Sequence, residues 1–241
     1  MHIPDGYLSP QTAGALYAAA APLWAVSLRR IRARTGSRHV PLVAMLAAFV
    51  FLVMMLNIPL PGGTTGHAVG GVLVAIIVGP WPALTAVTIA LAVQALFFGD
   101  GGILALGANA VNLAFIMPFA GYFAFRAIRG KARPGERRFA AAAAAGGFVG
   151  INAAAFATAI ELGVQPLLHH LPGGAPLYCP FSLGVTLPAM MIPHLTVAGA
   201  AEAILTGGVA GFLGRHHPDL IETGGLANPP AAVDPTPGGV S

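Results

Sequence analysis

Charge is scarce in this chain. Twelve basic and eight acidic residues among 241 make 8% of it charged, where an average soluble domain carries about 25%. That shortage excludes a soluble enzyme, a disordered chain and a nucleic-acid binder working through a basic face. Cysteine is scarcer still. Cys179 stands alone, which excludes an internal disulfide and any paired-cysteine metal site. No Gly-x-x-x-x-Gly-Lys-Ser/Thr phosphate loop occurs, and the glycine-rich run Gly99–Gly107 lacks the lysine, so ATP hydrolysis is not expected of this chain. Gly-x-Ser-x-Gly and His-Glu-x-x-His are missing too. A membrane-embedded hydrolase using Ser9 or Ser182 with a histidine therefore lacks support. Met1 is followed by no basic stretch, and no small-residue cleavage site follows the first apolar run. The chain is expected to keep its own first residue.

What is abundant is apolar. Hydrophobic residues make up 56% and the mean hydropathy is +0.77, and at about 20 residues per crossing the chain has room for six or seven spans. Long apolar runs place them at Gln11–Leu28, Pro41–Leu60, Ala68–Gly79, Pro82–Phe98, Ile103–Phe125, Phe139–Leu162 and Leu183–Leu213. The reading is an all-α polytopic membrane protein with seven transmembrane helices. The third run is short and glycine-rich, so a re-entrant piece, giving six spans, is the alternative.

The basic residues bear on that choice. Arg29, Arg30, Arg32, Arg34 and Arg38 follow span one; Arg126, Arg129, Lys131, Arg133, Arg137 and Arg138 follow span five; Arg215 follows span seven. Seven spans put all three groups on one side, and the positive-inside rule makes that side the cytoplasm. The N-terminus then faces outward, the C-terminus is cytoplasmic, and the pI of about 9.8 needs no nucleic acid. The Pro/Gly/Ala-rich residues 221–241 read as a disordered cytoplasmic tail.

With this topology His2, Asp5, His67, Asp100, His169, His170 and Cys179 all fall in outward segments, away from the arginines. His2 has a special chemical position. Initiator methionine is normally removed only before a small residue, so Met1 should remain. A free α-amine before an X-His dipeptide is a chelator. The amine and the next amide nitrogen close a five-membered ring on a metal; that amide and the His2 Nδ1 close a six-membered one. Square-planar Ni(II) and Cu(II) can displace the amide proton near neutral pH. Three nitrogens leave one corner open for an imidazole. His67 follows the segment Pro59–Gly66, rich in proline and glycine and suited to carrying irregular backbone into a membrane interior.

Met1-His-Ile-Pro-Asp-Gly-Tyr-Leu-Ser-Pro10 resembles the opening of the nickel/cobalt substrate-capture components of energy-coupling-factor transporters, the CbiM/NikM group. The match continues in Asn57–His67, Phe98–Gly102, Leu106–Asn109, Leu177–Pro180 and Leu187–Met190, covering about residues 1–220. The resemblance implies a seven-helix subunit, a metal-capture domain over 1–220 with its binding loop at 1–10, in the inner (plasma) membrane. It implies capture of Ni(II) or Co(II) as transported substrate, with no organic cofactor. The implied partners are a transmembrane coupling subunit and two cytoplasmic ATPase subunits, with or without a small accessory membrane subunit. The ligands it implies are the Met1 amine, the His2 amide and ring, and the His67 ring. Ile3-Pro4-Asp5-Gly6 resembles the nickel-type branch.

Other polar residues have competing readings. Asp100 either accepts a hydrogen bond from a liganding imidazole or is a turn residue. Asn109 and Asn112 share a helical face and serve either the N-terminal loop or, the preferred reading, interhelix bonds. His194, Glu202 and Glu161 are ionisable groups within spans, functional or structural. The His169-His170 and His216-His217 pairs can recruit metal loosely, and Cys179 reads as a packing residue. A passive divalent-metal channel is the remaining alternative, but a tight chelate conflicts with the easy release that conduction requires.

Overall fold

The computed structural model describes residues 1–34, 39–60 and 64–224, and the fold is mostly helical. The long elements are α1 (Pro10–Arg34) and α2 (His39–Met54), α4 (Pro80–Phe98) and α5 (Leu106–Arg129), α6 (Arg137–Gly163) and α8 (Leu183–His216). Three short helices complete the set: α3 (Gly71–Val78), α7 (Gln165–Leu168) and α9 (Pro218–Gly224). Among the described residues, the expected all-α chain is interrupted by an antiparallel pair of three-residue strands, β1 (Ile58–Leu60) and β2 (Thr64–Gly66), just before His67. The expected tail begins inside α9, whose Ile221 is buried; residues 225–241 lie outside the described residues.

Four helices, α4, α5, the α6–α7 stretch and α8, are long and apolar enough to cross a membrane, where the sequence suggested seven spans. Helix α2 is apolar but shorter. Helix α1 has the length but not the apolarity of those four. Helix α3 has eight residues, about 12 Å at 1.5 Å per residue, against about 30 Å of hydrocarbon. All eight of its residues are buried within the protein.

Prolines and glycines shape the long helices. Pro118 has no N–H to give to the carbonyl four residues back. Residues Ala110–Ile116 ahead of it are wound as a π-helix, with Met117 N–H reaching Asn112 O. Wider turns also occur at Gln94–Phe98 and, after Pro193, at His194–Ala198. Helices α5 and α6 cross so closely that a Cβ on Gly146 would lie 2.7 Å from Gly121 O, and one on Gly150 2.6 Å from Met117 O. A Cβ on Gly207 of α8 would lie 2.7 Å from that of Ala144 in α6. Gly146, Gly150 and Gly207 therefore serve internal packing, whereas Ala15 and Ala19 of α1 face outward.

The bundle has two chemically different ends. At one, Gly102 N–H donates to Ile3 O (3.0 Å) and Cys179 N–H to Tyr7 O (3.1 Å). Ser9 N–H donates there to Gln165 Oε1 (3.0 Å). At the other, the Arg30 guanidinium lies 4.7 Å from the centre of the Trp81 ring, and Pro134–Gly135 packs against Gly214. A cavity of about 470 Å³ at this second end is lined by Gly79, Arg126, Arg129, Lys131 and Arg133, among others. The described members of all three basic groups thus collect at the end away from residues 1–9.

Candidate metal centre

The first nine residues are held by groups distant in sequence. Ile3, 1% exposed, is bonded on both sides by one side chain: its N–H donates to Asn109 Oδ1 (2.8 Å) and its carbonyl accepts from Asn109 Nδ2 (3.0 Å). The Asp5 carboxylate accepts from the amides of Ile103, Leu104 and Ala105 at 3.1, 2.9 and 3.3 Å, the free donors that precede α5. Gly102 makes this approach possible, because a Cβ there would collide with the Asp5 carboxylate and its backbone nitrogen. Ser9 caps α1, accepting from Thr12 N at 3.0 Å.

So fixed, the chain end brings His2 against His67, with ring centres 4.8 Å apart and planes tilted 34°. The His2 side chain is 4% exposed and His67 2%. His67 Nδ1 pairs with Ala68 O at 3.1 Å; since a carbonyl only accepts, Nδ1 carries the proton and Nε2 the lone pair. His2 Nδ1 pairs with Asp100 Oδ1 at 2.9 Å, leaving its Nε2 as the lone-pair atom by the same reasoning. Both Nε2 atoms are buried and have no protein partner.

The electrostatics favour neutral donors. Burial lowers the Met1 amine to about 6, against a smaller opposing pull from Asp100. Burial also lowers the His2 ring, with the Asp100 bond opposing it. It holds His67 well below the usual histidine range, assisted by the neighbouring amine and His2. Asp100 is lowered, first by its bond to His2. At neutral pH the amine and both imidazoles are thus available as lone-pair donors beside one carboxylate.

Met1, His2, His67 and Asp100 therefore form one cluster, and Asn109 stands behind it, holding Ile3. For Asn109 the preferred interhelix reading is overturned, because its amide serves the N-terminal loop. Asn112 does make interhelix bonds, to Thr158 (3.1 Å) and Glu161 (2.7 Å). The other histidines lie elsewhere in the bonding pattern. His169 Nε2 shares a hydrogen bond with Ser9 Oγ (2.8 Å) and packs edge-on against Tyr178; His170 is exposed; His216 stacks on Phe212. Ser9 is fully buried, and its oxygen is taken up by the cap of α1 and by His169. His194 is buried with Nδ1 on Met190 O at 2.6 Å. Among the described residues no three His, Cys, Asp or Glu side chains could hold a metal together. A site at His2 and His67 needs main-chain donors. Sequence reasoning singled out Glu202 without its partner, the backbone just after His67, and missed Asp5 as an anchor; the adjacency of Asp5 to the chelating end was the available signal.

A family model described as the cobalt uptake substrate-specific transmembrane region, CbiM, matches residues 2–220. The fused nickel transport protein NikMN of Rhodobacter capsulatus is 48% identical over 221 residues, which is 92% of this chain and 64% of that protein. The probable fused nickel transport protein LarMN of Lactiplantibacillus plantarum is 50% identical over 226 residues, 92% of this chain and 67% of that protein. The chain thus spans about two thirds of the length of these fused relatives. The crystal structure of a truncated transition metal transporter superposes with a TM-score of 0.85 at 52% identity, covering 90% of this chain and 100% of that one. With nearly the whole described chain inside the family match, this protein belongs to the CbiM family.

Proposed function

We propose that this chain is the substrate-capturing membrane subunit of an ATP-driven importer of Ni(II) or Co(II) in the plasma membrane. The observation that carries the reading is the buried meeting of the Met1 amine, His2 and His67 at the end opposite the arginines. The relatives named for nickel transport and the transition metal transporter fold support it. In this reading the chain crosses seven times. The segment 68–79 would be the third crossing: it leads from next to His67, beside the N-terminal loop, to Gly79, beside Arg126 and Arg129. The positive-inside rule then puts residues 1–9 outside and the arginines in the cytoplasm. Hydrolysis of ATP belongs to two cytoplasmic subunits joined through a transmembrane coupling subunit, with or without a small accessory one.

The metal is held in a plane by the Met1 amine, the His2 amide nitrogen, His2 Nδ1 and His67 Nε2. His2 Nδ1 must leave Asp100 to do so. A second reading is favoured by that same contact. Asp100 stays on Nδ1–H, and His2 coordinates through Nε2 beside His67 Nε2, as in carboxylate–histidine–metal arrangements. The magnetism of bound Ni(II) separates them: a planar site with an amide anion gives a diamagnetic centre, whereas imidazole ligation without the amide gives a paramagnetic one.

Selectivity tests the planar reading directly. After dialysis against equal Ni(II), Co(II) and Zn(II), purified protein is expected to hold mostly nickel, then cobalt, with zinc far behind because zinc favours tetrahedral sites. Preferential zinc loading would sink the planar site.

The pH dependence follows from the protons that binding releases. The amide gives up one proton at any pH near neutrality, so affinity rises by about one decade per pH unit there. The amine, lowered to about 6, adds its own proton only below that, and the imidazoles, lowered by burial from the usual histidine range, add theirs in more acid solution than a free histidine would. The slope should steepen to about two or more decades per unit under pH 6. Burial of the amine moves its share below the usual α-amine range. A nickel titration series from pH 5 to 8 measures the break, and a uniform slope of two up to pH 8 would contradict it.

A further inference from the structure

Glu202 is a wholly buried carboxylate on α8. It accepts from Val69 N–H at 2.7 Å, from Gly70 N–H at 3.1 and 3.2 Å, and from the Thr206 hydroxyl at 3.0 Å. The two amides lie two and three residues after His67, in the irregular backbone that opens α3. Gly70 adopts a left-handed conformation there, φ 73°, next to Val69 with which it shares Oε2. Carboxylate bonds to backbone amides are stronger than neutral ones. The supporting element is rigid: Gly147 of α6 packs so closely that its Cβ would lie 3.0 Å from Glu202 O.

A continuous set of contacts leads from this carboxylate to the metal centre. Glu202 fixes the amides of Val69 and Gly70. Those peptides fix the Ala68 carbonyl. That carbonyl accepts from His67 Nδ1–H at 3.1 Å, which sets both the tautomer and the plane of the ring. The opposite ring atom, Nε2, is the buried one without a partner. The bond is made across 133 residues of sequence, so nothing local in the loop replaces it.

We propose that Glu202 is a positioning residue of the metal site, aiming the His67 Nε2 lone pair at the Met1–His2 chelate through the amides of Val69 and Gly70. The inference rests on the reading of His67 as a ligand.

Two variants at Glu202 test it. Glu202→Asp draws the carboxylate back by one methylene, out of reach of both amides at once. Glu202→Gln keeps one oxygen for the amides and turns its NH₂ toward the Thr206 oxygen, preserving the positions without the charge. In detergent-purified protein at pH 7, the Asp variant is expected to bind nickel about 10–100-fold more weakly, the range seen when such supporting groups are lost. It should also shift the ligand-field absorption band. The Gln variant is expected to restore the native band and bind within about threefold of the native chain, a difference under 1 kcal/mol. Native affinity and band in the Asp variant would overturn the proposal, as would a Gln variant as weak as the Asp one.

Hydrogen exchange on the native chain gives a measurement independent of how the variants fold. The Val69 and Gly70 amides are expected to exchange slowly before any nickel is added; exchange at unprotected rates would overturn the proposal. His67→Ala, measured in parallel, separates this inference from the one beneath it. Retained nickel there overturns the ligand assignment. Lost nickel there, with native binding in the Asp variant, overturns only the role of Glu202.

Discussion

One alanine placed before Met1 is expected to leave the purified protein essentially without nickel. The addition turns the α-amine, which binds as a neutral donor, into an amide that binds only after losing its proton, so the native amine–amide–imidazole set is lost. It also moves the free amine about 3.5 Å further along the chain, where the end has no room. Ile3 is 1% exposed, and Gly101 packs so close that its Cβ would lie 3.4 Å from His2 Cβ. Structural four-ligand metal sites are worth about 10–16 kcal/mol, so one donor of four contributes roughly 3–4 kcal/mol, or two to three decades in affinity. N-acetylation should act the same way, whereas a tag after residue 241 should be harmless. Metal content by elemental analysis, extended chain beside native, is the measurement. Equal loading of the two would mean that the amine is no ligand.

His67→Ala should come next in size. It removes the fourth corner, again roughly two to three decades of affinity by the same division, while the helices stay assembled. The ring touches His2 and its own neighbour's carbonyl, and no large apolar cluster depends on it. Thermal stability in detergent should fall by only about 1–2 kcal/mol, the scale of a lost buried hydrogen bond. His169→Ala and His170→Ala should load nearly normally. For His169 the cost should appear instead as a lower melting temperature, because its ring bonds the Ser9 cap of α1. A protein that loses nickel with the His169/His170 double change but keeps it without His67 would show that the wrong histidine had been assigned.

What the sequence made legible was chemistry that sits on consecutive residues. An amine followed by His2 is a chelator wherever the chain begins that way, and His67 was marked by the proline–glycine segment before it. Long apolar runs gave α4, α5, α6 and α8 to within a few residues. What stayed hidden depended on contacts between distant residues. Asp5 bonding the amides of 103–105, Asn109 bonding Ile3, and Glu202 bonding Val69 each join segments about 100 or more residues apart, and no local pattern reports them. The helix of the third span begins later than its apolar run for a different reason. Residues 68–70 are apolar or glycine and read as helix, yet the backbone there is irregular, because Glu202 takes up the amides that a preceding turn of helix would have used. The contact of Asp100 with His2 Nδ1 was also out of reach. Sequence allowed a bond to the imidazole, but not which nitrogen would make it.

The anchoring of residues 3 and 5 to the rim of α5 acts as a latch. A free Met-His-Ile peptide in water must freeze its backbone to wrap a metal, at about 1–2 kcal/mol per residue. For three residues that is roughly 3–6 kcal/mol, or two to four decades of binding constant, which folding has already supplied in the protein. The same latch governs departure. In the proposed reading, a metal wrapped by the chain end would leave when Ile3 lets go of Asn109 and Gly102 and Asp5 lets go of the amides of 103–105, so residence time would depend on those bonds as well as on the metal–nitrogen bonds. On that reading, capture and discharge would differ by the position of one short segment at the rim of α5.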